Sequence, residues 1–176
     1  MPKIYFKLAE FFRFSSWLLA GGALFLGQSA KAETPEQFAR KFASFSYCFH
    51  AEIQDPQVFL ATKSGDCDDF ATLAAATLAK SGYETQLWAV RMNGETHVVC
   101  YIPKIGGYLD YNNRAESNPV VSCDPSLKSI AGNVAASFHR NWVAAYEFSY
   151  HQKIKWLVNT IVLNRADPGT LLATAR

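Results

Sequence analysis

The stretch from Ser64 to Ile102 constrains the fold more than any other part of the chain. Asp66 can cap a helix there, and Asp69 stands at the N3 position behind it. Phe70, Leu73, Ala74 and Leu78 recur at helical spacing, and Ser81-Gly82 ends the run, which predicts a helix over Ser64–Lys80. Ala71, Ala74, Ala75, Ala76 and Ala79 keep its surface slim, so a neighbouring layer can approach closely. The period then changes from 3.6 to 2. Thr85–Met92 is rich in β-formers, Asn93-Gly94 is the type I′ hairpin dipeptide, and Thr96–Ile102 runs back. Pro103–Gly107 makes the next turn, and Tyr108–Tyr111 starts a third antiparallel strand. A helix followed by consecutive hairpins predicts an α+β domain with a largely antiparallel sheet.

Around this centre the signals are more scattered. Thr34-Pro35-Glu36-Gln37 reads as a helix start with Thr as N-cap, Pro at N1 and Gln at N3, and Phe38 and Phe42 then face the core one turn apart. Ser44–Lys63 shows no clear pattern beyond a turn at Asp55-Pro56. Asp124-Pro125 resembles another helix start, and Phe138–Tyr150 a further strand. Tyr150–Arg165 reads as a helix with Ile154, Leu157, Val158 and Ile161 on one face and Lys153 and Lys155 solvated; Asp167-Pro168-Gly169 is a turn. No internal repeat argues for a second domain.

Residues 1–32 read as a secretory signal peptide. Lys3, Lys7 and Arg13 form a positive n-region, Trp17–Leu26 is apolar, and Ala30-Lys31-Ala32 places small residues at −3 and −1 of a cleavage site. The apolar run is roughly half of the about 20 residues that an uncleaved anchor needs. Removal leaves 144 residues, 33–176, as one domain with 13 basic and 14 acidic side chains, so the formal +2 of the whole chain becomes −1. The expectation is an exported protein, periplasmic or secreted, with no membrane association after cleavage. A charge so near neutral carries no basic footprint for nucleic acid. With 49% hydrophobic and 18% charged residues, the chain is not disordered.

The chemistry centres on Cys67 in the first turn of the long helix. A thiol there feels the positive end of the helix dipole, which favours the thiolate; the flanking Asp66, Asp68 and Asp69 oppose it. His97 on the second strand can supply the offsetting cation, and Asp110 on the third can orient the imidazole. Register decides the last point. If Ile102 pairs with Gly107, Val99 faces Asp110 and both share a sheet face with His97; if Ile102 pairs with Tyr108, Asp110 points away.

The run Ser64-Gly65-Asp66-Cys67-Asp68-Asp69-Phe70-Ala71, with Thr96-His97-Val98-Val99 and Tyr108-Leu109-Asp110, resembles the transglutaminase-like superfamily, and within it the bacterial transglutaminase-like cysteine peptidases. The resemblance covers roughly residues 56–113. It implies a papain-like core with Cys67 as nucleophile, His97 as general base and acid, and Asp110 as orienter. The implied chemistry is acyl transfer through a thioester, with water giving peptide or amide hydrolysis of a protein or peptide substrate and an amine giving cross-linking. No cofactor is required by these residues, although some relatives of this kind bind calcium through acidic residues that Asp66 and Asp68 match.

Plainer readings compete. Cys67 can be half of a structural disulfide, His97 an ordinary partly buried histidine, and Asp110 a plain acid beside a turn. Asp66, Asp68 and Asp69 can serve only as caps. Cys48 and Cys123 can pair, while Cys100, on the face away from His97, reads as buried and inert. His50, His139 and His151 read as surface or packing residues, and Trp88 and Trp142 as core. Gln54 and Gln57 stand upstream of the nucleophile as available oxyanion donors, with no motif to choose between them. The leading function is an exported thiol enzyme cleaving peptide or amide bonds. The alternatives are a non-catalytic peptide-binding module of the same fold and a cross-linking transglutaminase.

Overall fold

The structure, a computed structural model, describes residues 32–151 and 154–163. The expected signal peptide, all but Ala32, lies outside these residues, as does the expected turn at Asp167. Helix α1 (Pro35–Arg40) opens on the capping box read from the sequence: Thr34 Oγ1 accepts from the Gln37 N–H, and the Thr34 N–H donates to Gln37 Oε1. The stretch without a clear pattern contains strand β1 (Ser46–Tyr47) and helix α2 (Pro56–Thr62). Asp55 and Pro56 are the N-cap and N1 of α2, a helix start rather than an isolated turn. Strand β2 (Ser64–Gly65) pairs in parallel with β1, and helix α3 (Cys67–Lys80) follows at once.

The main sheet has six strands. After α3 come β3 (Gln86–Met92), β4 (Glu95–Ile102), β5 (Gly107–Leu109) and β6 (Val120–Ser122); helix α4 (Leu127–Ser137) then leads to β7 (Trp142–His151) and β8 (Ile154–Leu163). Their spatial order is β6-β5-β4-β3-β7-β8, and every neighbouring pair is antiparallel. Two sequence expectations change here. Only Gly94 of the Asn93-Gly94 turn takes a positive φ, 80°, whereas a type I′ turn needs both central residues left-handed. The expected helix over Tyr150–Arg165 is strand instead: β8 pairs with β7 from His151–Ile154 to Ala144–Leu163.

The sheet is buried on both faces. On one, α1, α2 and α3 bring Phe38, Phe42, Phe59, Phe70, Ala74 and Leu78 against Leu87, Ala89, Val98, Cys100 and Ile102. On the other, α4 brings Leu127, Ile130, Ala131 and Val134 against Trp88, Val90, Val99, Tyr101 and Tyr108. Alternate residues of β3 and β4 thus enter two different cores, which is why these strands read as near-continuous apolar runs. The slim alanine face of α3 serves as expected, with Ala71 and Ala74 fully buried.

Candidate active site

Cys67 owes its place to the tight entry into α3. A Cβ on Gly65 would lie 2.6 Å from the Phe59 ring and 2.7 Å from Asp69 Oδ2, so only glycine admits the backbone here. Asp66 is the N-cap, and its N–H donates to Asp69 Oδ2 at 3.1 Å. Gln54 completes the brace. Its backbone N–H donates to Asp69 Oδ1 at 2.7 Å, and its Nε2 donates to Asp69 Oδ2 at 2.6 Å and to the Ser64 carbonyl at 3.1 Å. Gln54 is therefore committed to holding the loop, and its amide is not free for an oxyanion. Gln57 sits exposed on α2, away from the cleft around Cys67.

His97 and Asp110 come from the opposite layer. Ile102 pairs with Gly107, the register that turns Asp110 to the same face as His97 and Val99. His97 Nε2 lies 2.8 Å from Asp110 Oδ1, and both residues are nearly fully buried. Asp110 is fixed locally, since it caps the 3₁₀ turn Tyr111–Asn113 and the same Oδ1 accepts from the Asn112 N–H at 2.8 Å. Phe138, at the end of α4, packs edge-on to the imidazole with centroids 4.8 Å apart. Nothing in the spacing along the chain signals this ring, because its partner lies 41 residues away.

With Nε2 taken by Asp110, Nδ1 is the nitrogen left over, and Cys67 in the first turn of α3 acts on the ring electrostatically. Burial alone would push the imidazole down. The negative charge of Asp110, its hydrogen bond and the interaction with Cys67 outweigh burial and push His97 up to about 10. That direction favours the protonated ring. His97 and Asp110 pair directly, and Cys67 at the N-terminus of α3 stands near enough to influence the imidazole.

Cys67 opens into a cleft of about 430 Å³, lined among others by Tyr47, Phe49, His50, Asp66, Asp68, Thr96 and Lys155. Asp68 faces β7, and its Oδ2 accepts from the Tyr150 hydroxyl at 3.0 Å. Burial first, then the neighbouring Asp66 carboxylate, push the Asp68 carboxyl up to about 7, with the Tyr150 hydrogen bond opposing. His50, expected at the surface or in packing, stands half-buried beside the acidic cluster. Its backbone N–H donates to Asp66 Oδ2 at 2.9 Å, and its Nδ1 stands 3.9 Å from Asp69 Oδ2. The ligand atoms of His50, Asp66 and Asp69 all lie within 4.8 Å of one another, a set that could hold a metal ion. This grouping depends on β1 folding beside β2, which no local pattern announces.

All four thiols are unpaired. Cys48 is exposed just past β1 and Cys123 half-buried just past β6, so the expected option of a Cys48–Cys123 bridge is not taken. Cys100 is fully buried in the α3-facing core, and burial pushes its thiol up to about 12, as suits an inert cysteine. Trp88 and Trp142 are core residues, and His139 is exposed after α4. The side chain of His151 lies outside the described residues.

A family model described as a transglutaminase-like domain matches residues 27–110, just under half of the chain, from before α1 to Asp110. No curated protein matches the sequence. Among solved structures, calcium-bound LapG of Legionella pneumophila is similar at 19% identity and a TM-score of 0.45, with 78% of this chain and 75% of that chain covered. The EGTA-treated form of the same protein is similar at 18% identity and a TM-score of 0.43, over 78% and 74% of the two chains.

Proposed function

We propose that this chain, which carries a transglutaminase-like domain, is an exported thiol hydrolase that cleaves peptide or amide bonds of a protein or peptide. Cys67 attacks the carbonyl carbon, His97 gives its proton to the leaving amine, and a thioester on Cys67 remains. Neutral His97 then takes a proton from water, which attacks the thioester and releases the acid. Asp110 holds the imidazole ring with Nδ1 toward the thiol. The observation that supports this reading best is the buried 2.8 Å His97–Asp110 contact, which favours a protonated imidazole beside a cysteine at a helix N-terminus.

The acidic cluster offers carboxylate oxygens of the kind that a hard divalent cation such as calcium takes, a part of the about 6–8 oxygen ligands such an ion needs. Asp66 Oδ1 and Asp68 Oδ1 are both buried without a partner, and two like charges side by side are costly unless neutralised. Asp66 and Asp68 would hold the ion. When bound, it would supply positive charge beside the nucleophile and fix the first turn of α3.

Alkylation tests the enzyme reading. Iodoacetamide at pH 6 is expected to modify Cys67 at least tenfold faster than Cys48, Cys100 or Cys123, with His97→Ala abolishing the difference, as peptide mass mapping would read. Equal, slow labelling of all four thiols would leave a peptide-binding module instead. Incorporation of a labelled primary amine into protein, in place of new amine termini, would identify a cross-linking enzyme.

A further inference from the structure

The reaction above needs a donor for the oxyanion that forms when Cys67 attacks a carbonyl, and Gln54, tied to Asp69 and Ser64, does not supply it. Such a donor must stand beside the nucleophile, within hydrogen-bond reach of the position the oxygen takes as charge develops. Tyr47 is a hydroxyl donor beside the nucleophile. It lines the cleft of Cys67, and it also lines a second depression of about 240 Å³ that contains His97, Asn112 and Phe138. Glu95 is the other residue common to both, but an ionised carboxylate only accepts hydrogen bonds.

The backbone explains why Tyr47 is held there. β1 runs parallel to β2 with Tyr47 opposite Gly65, two residues before the nucleophile. The Cys48 N–H donates to the Gly65 carbonyl at 2.8 Å, locking that register. On the other side, the buried Tyr111 hydroxyl donates to the Ser46 carbonyl at 2.7 Å. Strand β1 is only two residues long, yet it is pinned to the loop that carries Cys67 and to the turn that carries Asp110. The Tyr47 side chain itself is 59% exposed.

We propose that the Tyr47 hydroxyl, together with the Cys67 backbone N–H, forms the oxyanion hole of this site. The proposal rests on Cys67 being the nucleophile. As the C–S bond forms, the carbonyl π pair moves onto oxygen; the oxyanion accepts from the Tyr47 O–H and from the Cys67 N–H, one of the helix N-terminal donors that a helix cannot satisfy itself. Collapse returns the pair to the carbonyl and expels the leaving group, and the phenol keeps its own proton throughout. Burial, followed by the charges of Cys67, Asp66, Glu95 and Asp68, raises the pKa of that phenol, so it stays a donor.

Two small probes separate this role from a merely structural one. Acylation of Cys67 by p-nitrophenyl acetate passes through an oxyanion, whereas alkylation by iodoacetamide does not. Tyr47→Phe is expected to slow the acylation burst roughly a hundredfold or more and to leave the alkylation rate within about twofold and the melting temperature unchanged. An unchanged burst would overturn the assignment of Tyr47. An equal slowing of both reactions would overturn it too, because Tyr47 would then be acting on the thiol. Wild-type protein with no Cys67-dependent burst and no preferential alkylation would sink the nucleophile reading itself, a result visible before any variant is made.

Discussion

Asp68 lowers the stability of the fold at neutral pH, and the sign of its effect can be worked out. Its carboxyl is held at about 7 against an ordinary 3.8, by burial first and by Asp66 second, so the folded protein prefers the neutral acid. That preference contributes in full below pH 3.8 and is lost as pH rises through 7. His97 behaves likewise in a higher window: raised from 6.5 to about 10, it contributes in full below 6.5 and loses its contribution as pH rises through 10. Asp68→Asn isolates the lower window. In EGTA, the variant is expected to melt above wild type at pH 8, with the difference gone near pH 4. Scanning fluorimetry across that range reads it, and a variant that melts below wild type at pH 8 would show that the Tyr150 hydrogen bond outweighs the repulsion. The same pair of proteins tests the cation: calcium should raise the melting temperature of wild type and leave Asp68→Asn unmoved.

Between elements, one side chain does more joining than its sequence context announces. Arg114 donates from Nε to the Phe42 carbonyl at 3.0 Å, from Nη1 to the Tyr111 carbonyl at 2.5 Å and from Nη2 to the Phe45 carbonyl, and its guanidinium lies 3.8 Å from the Tyr111 ring centre. It ties the segment between α1 and β1 to the 3₁₀ turn that begins at Asp110. Arg114→Ala is expected to cost about 2–4 kcal/mol in urea unfolding, as charged hydrogen bonds and a cation–π contact are lost together. Lys at this position should recover little, because it has no planar fork to reach three carbonyls; full recovery by Lys would refute this account. Contacts of this kind explain what could and could not be read from the chain. The helix with Cys67 and the β3–β4 hairpin were legible because caps, turn residues and strand period are local, whereas the register that unites His97 with Asp110 stood between two alternatives that only the Ile102–Gly107 pair decides. Arg114, Phe138 and the approach of His50 to Asp69 were not, since each depends on segments far apart along the chain. Strand β8 was misread for a different reason: Ile154, Leu157, Val158 and Ile161 match the helical period, although Trp156, Val158, Thr160, Ile161 and Val162 carry the β-branched and aromatic character of a strand.

At the scale of the whole molecule, the residues just after the expected export signal bear on where it would be cut. Cleavage after Ala32 would make Glu33 the first residue, and Glu33 is already anchored. Its backbone N–H donates to Ser81 Oγ at 3.2 Å, beside the C-terminal end of α3, and its carboxylate pairs with Lys41 at 2.5 Å. Thr34 then caps α1. Cutting after Ala32 leaves every one of these contacts in place, and the new α-amino group can still donate to Ser81. Cutting two residues later would remove the ion pair and the cap, at a cost of about 1 kcal/mol for the cap alone. Four basic residues and the acidic Glu10 ahead of Glu33 would leave with the signal, taking the formal charge from +2 to −1. Expressed with its own leader in an exporting bacterial host, the protein is therefore expected in the periplasmic or secreted fraction with Glu33 as its first residue, read by intact mass and N-terminal sequencing. Full-length chain recovered from the membrane would turn the same segment into an anchor, and full-length chain in the cytoplasm would remove export from the reading altogether.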